Sequence, residues 1–237
     1  MSTNALRASI EILTSPGVTF DIVKSKKRWW LVPFALVTTS IVALFMYYFA
    51  NVDFPWLKET MLDQMAAQQT MNEDELQAAG DFLSKTSLLW STTIGGALSL
   101  VFINAILALY LNITTKFSGK DEYSYGNWFA FSWWTSMPHV VTIMLSMLLV
   151  TLSADGMLAM EDLSVTTLNS LLFSVDAVNP WFNFLNTVDV FMFWSITLIA
   201  IGLKSWLGIE TQKAATIAAA PFAVLFGIWA LIIVFTA

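Results

Sequence analysis

The chain has 237 residues, of which 57% are hydrophobic and 12% charged, and its mean hydropathy is +0.68. Soluble domains average about 45–50% apolar and about 25% charged residues, so this composition argues against an ordinary water-soluble domain. The net charge of −6 gives no basic surface for nucleic acid, and the absence of cysteine excludes disulfides, thiol catalysis and cysteine zinc sites. We therefore expect a membrane protein without a nucleic-acid partner.

The segment 1–28 precedes the first long apolar stretch. Its apolar residues at helical spacing are Leu6, Ile10 and Leu13, and a basic run from Lys24 to Arg28 ends it. Two interpretations are open. The segment either lies on the cytoplasmic membrane surface, in contact with acyl chains and anionic lipid, or packs beneath the membrane helices.

Five stretches are long and apolar enough to cross a bilayer, whose core of about 30 Å needs roughly 20 helical residues. These predicted transmembrane helices are residues 29–50, 87–113, 128–151, 181–203 and 214–237. None shows the period-two alternation of outer-membrane strands. The sequence therefore predicts an all-α, polytopic bundle of five transmembrane helices, with residues 1–237 forming a single membrane domain.

The distribution of basic residues predicts the orientation of this bundle, because short cytoplasmic loops collect Lys and Arg. When the loops are assigned alternately to two sides, nine of the eleven basic residues share one side: Arg7, Lys24, Lys26, Lys27, Arg28, Lys116, Lys120, Lys204 and Lys213. Lys58 and Lys85 fall on the other side. We expect the N-terminus in the cytoplasm and the C-terminus outside.

The sizeable polar connection, residues 51–86, is predicted to be an acidic hairpin of two short amphipathic helices on the outer side. Asn72 and Glu75 have the spacing of a capping box, and apolar residues recur at helical spacing. The carboxylates of the hairpin include Asp63, Glu73, Asp74, Glu75 and Asp81. They match no calcium-loop pattern, so we favour a solvated acidic face over a divalent-cation site.

Ionisable and other strongly polar side chains at membrane depth are costly, so each one raises a functional question. The candidates are His139 in the third predicted helix, Asp189 and Asn186 in the fourth, and Asn104 in the second. A His–Asp pair can relay protons or coordinate a cationic solute. The structural alternative, which we favour, is that His139 bonds a carbonyl freed by Pro138. In it, Asp189 forms a polar stripe with Asn186 near a helix N-terminus, and Asn104 joins helices.

The sequence contains no recognisable catalytic constellation. Ser136 and His139, one helical turn apart, form the only local nucleophile–base candidate, and they lack an orienting acid and a glycine-lined oxyanion site. A single histidine cannot supply both ligands of an H-E-x-x-H motif, and the phosphate-binding G-x-x-x-x-G-K-[ST] motif is missing. We predict no enzymatic activity, no catalytic residue, no metal and no cofactor.

Four residues are predicted to shape the helices. Pro138 and Pro221 lie within the third and fifth helices, where a neighbouring group must satisfy the carbonyl that each proline frees. Gly95 and Gly96 in the second helix lack side chains, so another helix can approach them closely.

Four local motifs accompany the five predicted spans. They are Pro16 and Phe20 before Trp29-Trp30-x-x-Pro33; Phe117-Ser118-Gly119-Lys120 with Tyr125; Pro138; and Asn183 through Val188-Asp189-x-Phe191-x-x-Trp194 to Gly202-Leu203. Together they resemble the Yip-domain (Ypt-interacting protein) family of five-span membrane proteins, in its bacterial branch. The resemblance covers nearly the whole chain, apart from the hairpin 51–86.

The resemblance implies protein partners in a membrane. Eukaryotic members of the family associate with small Rab-type GTPases and with each other in vesicle traffic. Those members carry an Asp-Leu-Tyr-Gly-Pro stretch before the first span, where this chain has Lys27-Arg28-Trp29-Trp30-Leu31. We therefore do not extend GTPase binding to this chain.

Two functions are open at this point. The first is a non-enzymatic protein of a bacterial inner membrane, with a periplasmic C-terminus, that organises protein partners or the bilayer through segment 1–28 and hairpin 51–86. Its partners would be membrane lipids, other membrane proteins or a second copy of itself. The second is a small permease or an ion- or proton-conducting component that uses His139 and Asp189. We rank it second because the five spans show no inverted repeat.

Overall fold

The computed structural model describes residues 4–67, 72–117, 119, 122–153 and 155–236. Ser118 and Lys120, from one of the motifs above, and Ala237, the end of the fifth predicted helix, lie outside these residues. Within the described ranges the chain is helical, apart from loops, short turns and one isolated β-bridge. The helices are α1 (Ala5–Thr14), α2 (Pro16–Val23), α3 (Leu31–Asn51), α4 (Phe54–Ala67), α5 (Glu73–Phe82), α6 (Lys85–Phe117), α7 (Tyr125–Thr135), α8 (Pro138–Leu152), α9 (Phe182–Thr187), α10 (Val190–Leu207) and α11 (Thr211–Thr236).

Five helical segments are long and apolar enough to cross a membrane. They are Leu31–Asn51, Lys85–Phe117, Tyr125–Leu152, Val190–Leu207 and Thr211–Thr236. The shortest has 18 residues. At the helical rise of about 1.5 Å per residue it measures about 27 Å, close to the thickness of a hydrocarbon core. The predicted all-α fold with five membrane-spanning helices is confirmed.

The acidic hairpin 51–86 contains two helices, α4 and α5, as predicted. Asn72 caps α5, since its side chain accepts a hydrogen bond from the Glu75 N–H at 3.0 Å. The Glu75 carboxylate accepts one from the Asn72 N–H at 2.8 Å, which completes the predicted capping box. Residues 68–71, between the two helices, and the Glu73 side chain lie outside the described part. The carboxylate residues Asp63, Asp74, Glu75 and Asp81 are exposed.

The two prolines free carbonyls that other groups satisfy. Pro138 separates α7 from α8, and the Met137 N–H donates to the carbonyl of Trp134, four residues before the proline, at 3.4 Å. In contrast, α11 continues through Pro221. Pro221 has no N–H to donate to the carbonyl of Ile217, four residues earlier. That carbonyl instead accepts a hydrogen bond from the Tyr110 hydroxyl of α6 at 2.9 Å. A side chain from a second helix thus stabilises the unbroken α11.

The fourth spanning helix begins later than predicted. The range 181–203 contains the short α9 and most of α10, which ends at Leu207. Val188 is extended (φ −80°, ψ 107°) and ends α9. The extended backbone pairs with a distant segment in an antiparallel bridge. Its bonds run from the Leu168 N–H to the Val188 carbonyl at 2.8 Å and from the Val190 N–H to the Thr166 carbonyl at 3.0 Å. The Val188 carbonyl and the Val190 N–H, which a continuous helix would bond within itself, are thus bonded to the distant segment.

The described residues of Met1–Thr39, Leu98–Val141 and Phe191–Ile228 form one compact unit, the first unit. Its core is strongly aromatic. The Phe131 ring is fully buried and stacks on Phe20 at 5.2 Å between ring centroids, while Trp206 meets it edge-on at 5.0 Å. Gly202 of α10 faces these rings, and a Cβ there would lie 2.6 Å from Cζ of Phe131 and 2.9 Å from Cζ of Phe20. The glycine therefore allows the rings to reach the α10 backbone.

The described residues of Ser40–Ala97, Thr142–Val190 and Trp229–Ala237 form the second unit. Its buried apolar residues include Tyr48, Phe49, Val52, Leu57, Val150 and Leu163. The Tyr48 hydroxyl donates to the Leu158 carbonyl at 2.7 Å, so the buried ring has a partner for its polar end. Gly96 contacts α3, where a Cβ would lie 3.2 Å from the Phe45 ring, whereas Gly95 faces open space.

Candidate functional site

The N-terminal helices α1 and α2 have two apolar faces. One face is buried in the first unit and comprises Ala8, Ser9 and Ile12 of α1 and Thr19, Phe20 and Val23 of α2. Away from these buried residues, Leu6 and Ile10 of α1 are 56% and 63% exposed, and Val18 of α2 is 57% exposed. The buried face joins the aromatic core of the first unit. The opposite face presents apolar side chains to its surroundings.

A basic cleft of about 330 Å³ lies where α2 ends and α7 begins. Three exposed lysines line it, Lys24, Lys26 and Lys27, together with residues of the first turn of α7 and three tryptophans. The other lining residues are Val23, Trp30, Ser124, Gly126, Asn127, Ala130, Trp134 and Trp206. Among the described residues that line the cleft there is no carboxylate, so the cleft suits an anion.

Asn104 and the break in the third span are joined by side-chain hydrogen bonds. Asn104 is only 3% exposed, and its carbonyl oxygen accepts a bond from the Ser136 hydroxyl at 3.0 Å. Its amide nitrogen donates to the Leu100 carbonyl of its own helix at 2.9 Å. Asn104 therefore connects α6 to the residues just before Pro138. The half-buried His139 follows Pro138 directly, within the first unit.

Asp189 lies in the second unit, at the backbone bridge that precedes α10. Its carboxylate accepts a hydrogen bond from the Thr166 hydroxyl, and Asn186 accepts one from the Thr167 hydroxyl at 3.3 Å. The structure thus brings two predicted polar residues against two threonines that sequence reasoning missed. Neighbouring hydroxyl residues in an apolar loop were the only available signal, and they do not indicate a distant partner.

A second cleft, of about 580 Å³, is acidic and belongs to the second unit. Its lining includes the carboxylates of Glu161, Asp162 and Asp176, and also Asn186. Burial, and then the neighbouring Glu161, raises the pKa of Asp162. The Gln64 amide donates a hydrogen bond to the Glu161 carboxylate. The cleft has the chemistry to accept a cationic or hydrogen-bonding solute, although no metal-binding cluster of His, Asp or Glu occurs among the described residues.

One of the three comparisons with known proteins found a match. The family model of the Yip1 domain matches residues 10–232, from within α1 to within α11. Neither the search of curated proteins nor that of solved structures found a match. The family match covers nearly the whole chain and includes residues of every spanning helix. The chain therefore belongs to the Yip1 domain family and is a multi-pass membrane protein.

Proposed function

We propose that this chain is a non-enzymatic organising protein of the bacterial branch of the family. It lies in the inner membrane with a cytoplasmic N-terminus and a periplasmic C-terminus. It holds other membrane proteins or a second copy of itself, or shapes the surrounding lipid, through surfaces outside its spanning helices. The observation that carries this proposal is the exposed apolar face of α1 and α2.

That face is unusual for a helix that does not cross the membrane. A surface helix normally directs polar residues away from the core, but Leu6 and Ile10, one turn apart on α1, are both exposed. They lie beside an exposed ion pair between Arg7 and Glu11, at 2.7 Å. Contiguous exposed apolar side chains with a polar border are typical of surfaces that bind a protein or a membrane.

Two further observations support a role without catalysis. The Ser136 hydroxyl, the one local nucleophile candidate, is directed to Asn104 and to the Ser132 carbonyl, both at 3.0 Å. The Asp189 carboxylate accepts a hydrogen bond from Thr166 at a backbone bridge, which supports a structural part for it.

One observation favours the alternative, a small permease or an ion- or proton-conducting component that uses His139 and Asp189. Asn186, three residues before Asp189, lines the acidic cleft, and that cleft suits a cationic solute. The alternative ranks second because the five spans show no inverted repeat in the sequence.

Site-specific photo-crosslinking in living cells tests the proposal. A crosslinking residue at Ile10 or Val18 is expected to give one common set of discrete protein or lipid adducts. The substitutions Leu6→Ser and Ile10→Ser together should reduce the adducts formed from position 18 by about tenfold or more, since burying each such side chain contributes about 1.5–3 kcal/mol.

Two positions serve as matched controls for this experiment. Ile12 is fully buried on α1 and should give no adduct, whereas Leu231, exposed on α11, should give only adducts typical of a lipid-facing helix. Identical adducts from Ile10 and Leu231 would refute a specific surface. A proton or solute flux through reconstituted protein that Asp189→Asn abolishes would refute the organising role and support the permease.

A further inference from the structure

We propose that the basic cleft binds the phosphate of an anionic glycerophospholipid. The inference goes beyond the organising role and does not depend on it, because a lipid site can be occupied whether or not α1 holds a partner. It rests on three properties of the cleft: its charge, its level in the membrane and its size.

The charge of the cleft is positive. Three lysines line it, and the Asp21 carboxylate lies 3.1 Å from Lys24 Nζ. The hydrogen bond from Ser205 and the one from Lys24 lower the pKa of Asp21, so this carboxylate stays ionised and offsets part of the Lys24 charge. Lys26 lies over the Trp29 ring, at 5.6 Å from its centroid. Because Asp21 offsets part of the Lys24 charge, Lys26 and Lys27 carry the charge of the cleft that no carboxylate offsets in a described contact.

The cleft is built from the ends of three spanning segments. Trp30 directly precedes the segment Leu31–Asn51, Ser124 directly precedes Tyr125–Leu152, and Trp206 is the penultimate residue of Val190–Leu207. Ends of spanning helices lie at the membrane–water interface, where tryptophans are enriched. Trp30 and Trp206, at two of these ends, both line the cleft. An anion at this level is most readily a lipid headgroup, which anionic membranes supply at high local concentration.

The size of the cleft fits a headgroup rather than a whole lipid. Its 330 Å³ corresponds to about eleven water molecules at about 30 Å³ each. This volume accommodates a phosphodiester and glycerol, while the acyl chains remain in the bilayer. In this arrangement the lysine ammonium groups donate charge-assisted hydrogen bonds to phosphate oxygens.

The test is native mass spectrometry of the full chain in detergent, with added dioleoyl phosphatidylglycerol or dioleoyl phosphatidylcholine. The unaltered protein is expected to bind the anionic lipid preferentially. In the triple variant K24Q/K26Q/K27Q, the dissociation constant for phosphatidylglycerol should rise about twentyfold or more, because each basic residue near an anionic surface contributes roughly a fivefold effect and Asp21 offsets part of it.

Two further variants separate the site from general charge and from misfolding. K58Q/K85Q/K213Q removes the same charge at lysines that do not line the cleft, and its dissociation constant should change less than about twofold. K24R/K26R/K27R keeps the charge and should keep the binding. The result that overturns the proposal is an equal loss in both glutamine variants, or equal binding of the two lipids. Displacement of phosphatidylglycerol by an equal concentration of glycerol phosphate would also overturn it, because the site would then belong to soluble phosphate compounds.

Discussion

Replacing Gly156 with alanine is expected to lower the free energy of unfolding by about 2–5 kcal/mol, a large effect for the addition of a single methyl group. Gly156 has a φ of +69°, a conformation that costs other residues free energy. A Cβ there would also lie 2.6 Å from the Asn51 carbonyl oxygen and 2.9 Å from the Asp53 nitrogen. Both are backbone atoms, so the collision cannot be relieved by a side-chain rotation. The Gly156 carbonyl accepts the Asp53 N–H at 3.0 Å, which ties the two segments together.

Gly208 is the matched control for this substitution. It has a φ of +61°, but no atom lies within 4 Å of the position its Cβ would occupy. Gly208→Ala is therefore expected to cost only the conformational part, about 1–2 kcal/mol. The free energy of unfolding of both variants can be measured in mixed micelles as the fraction of denaturing detergent is raised. Equal losses for the two variants would mean that the contact with Asn51 and Asp53 contributes nothing.

Replacing Gly202 with valine is expected to destabilise the protein by about 2–4 kcal/mol. The added side chain would enter the space filled by the rings of Phe131 and Phe20, which are fully buried and stacked on each other. Such rings cannot move aside without disturbing Trp206, which packs edge-on against Phe131. The substitution should therefore loosen the packing of α2 against α7 and α10 within the first unit. Besides the lowered stability, we expect faster proteolysis between residues 15 and 30.

Gly227→Val in α11 is the control for a valine in a spanning helix, since nothing lies within 4 Å of its Cβ position. Its effect should stay within about 0.5 kcal/mol, as for most surface substitutions. A Gly202 variant as stable as the Gly227 variant would show that the aromatic core of the first unit is not close-packed.

Much of the fold was predictable because it follows from local physical properties. The spanning helices have the length and hydropathy that a bilayer requires, and the Asn72–Glu75 capping box depends only on residues three apart. The start of the fourth helix was not predictable. The stretch 181–189 contains apolar residues at helical spacing that continue into the next helix. Its break results from pairing with residues 166–168, about twenty positions earlier.

In the candidate sites, too, local features were predictable and distant contacts were not. Asn104 was recognisable because amides are rare in apolar helices, but its partner Ser136 lies 32 residues away. The lysines of the basic cleft were visible as a run in the sequence. The first turn of α7, which completes the cleft about 100 residues later, gave no signal of that contact. Residues that share a cleft through tertiary packing cannot be inferred from their own local pattern.

The orientation of the five spanning helices is the claim on which the proposed roles of both faces depend. Because the chain has no cysteine, single cysteines introduced at the exposed residues Asp81, Lys213 and Thr236 can be labelled one at a time with a membrane-impermeant maleimide. We expect labelling at positions 81 and 236 from outside intact spheroplasts, and labelling at position 213 only after lysis. Labelling at position 213 in intact spheroplasts, or protection of position 236, would contradict the account.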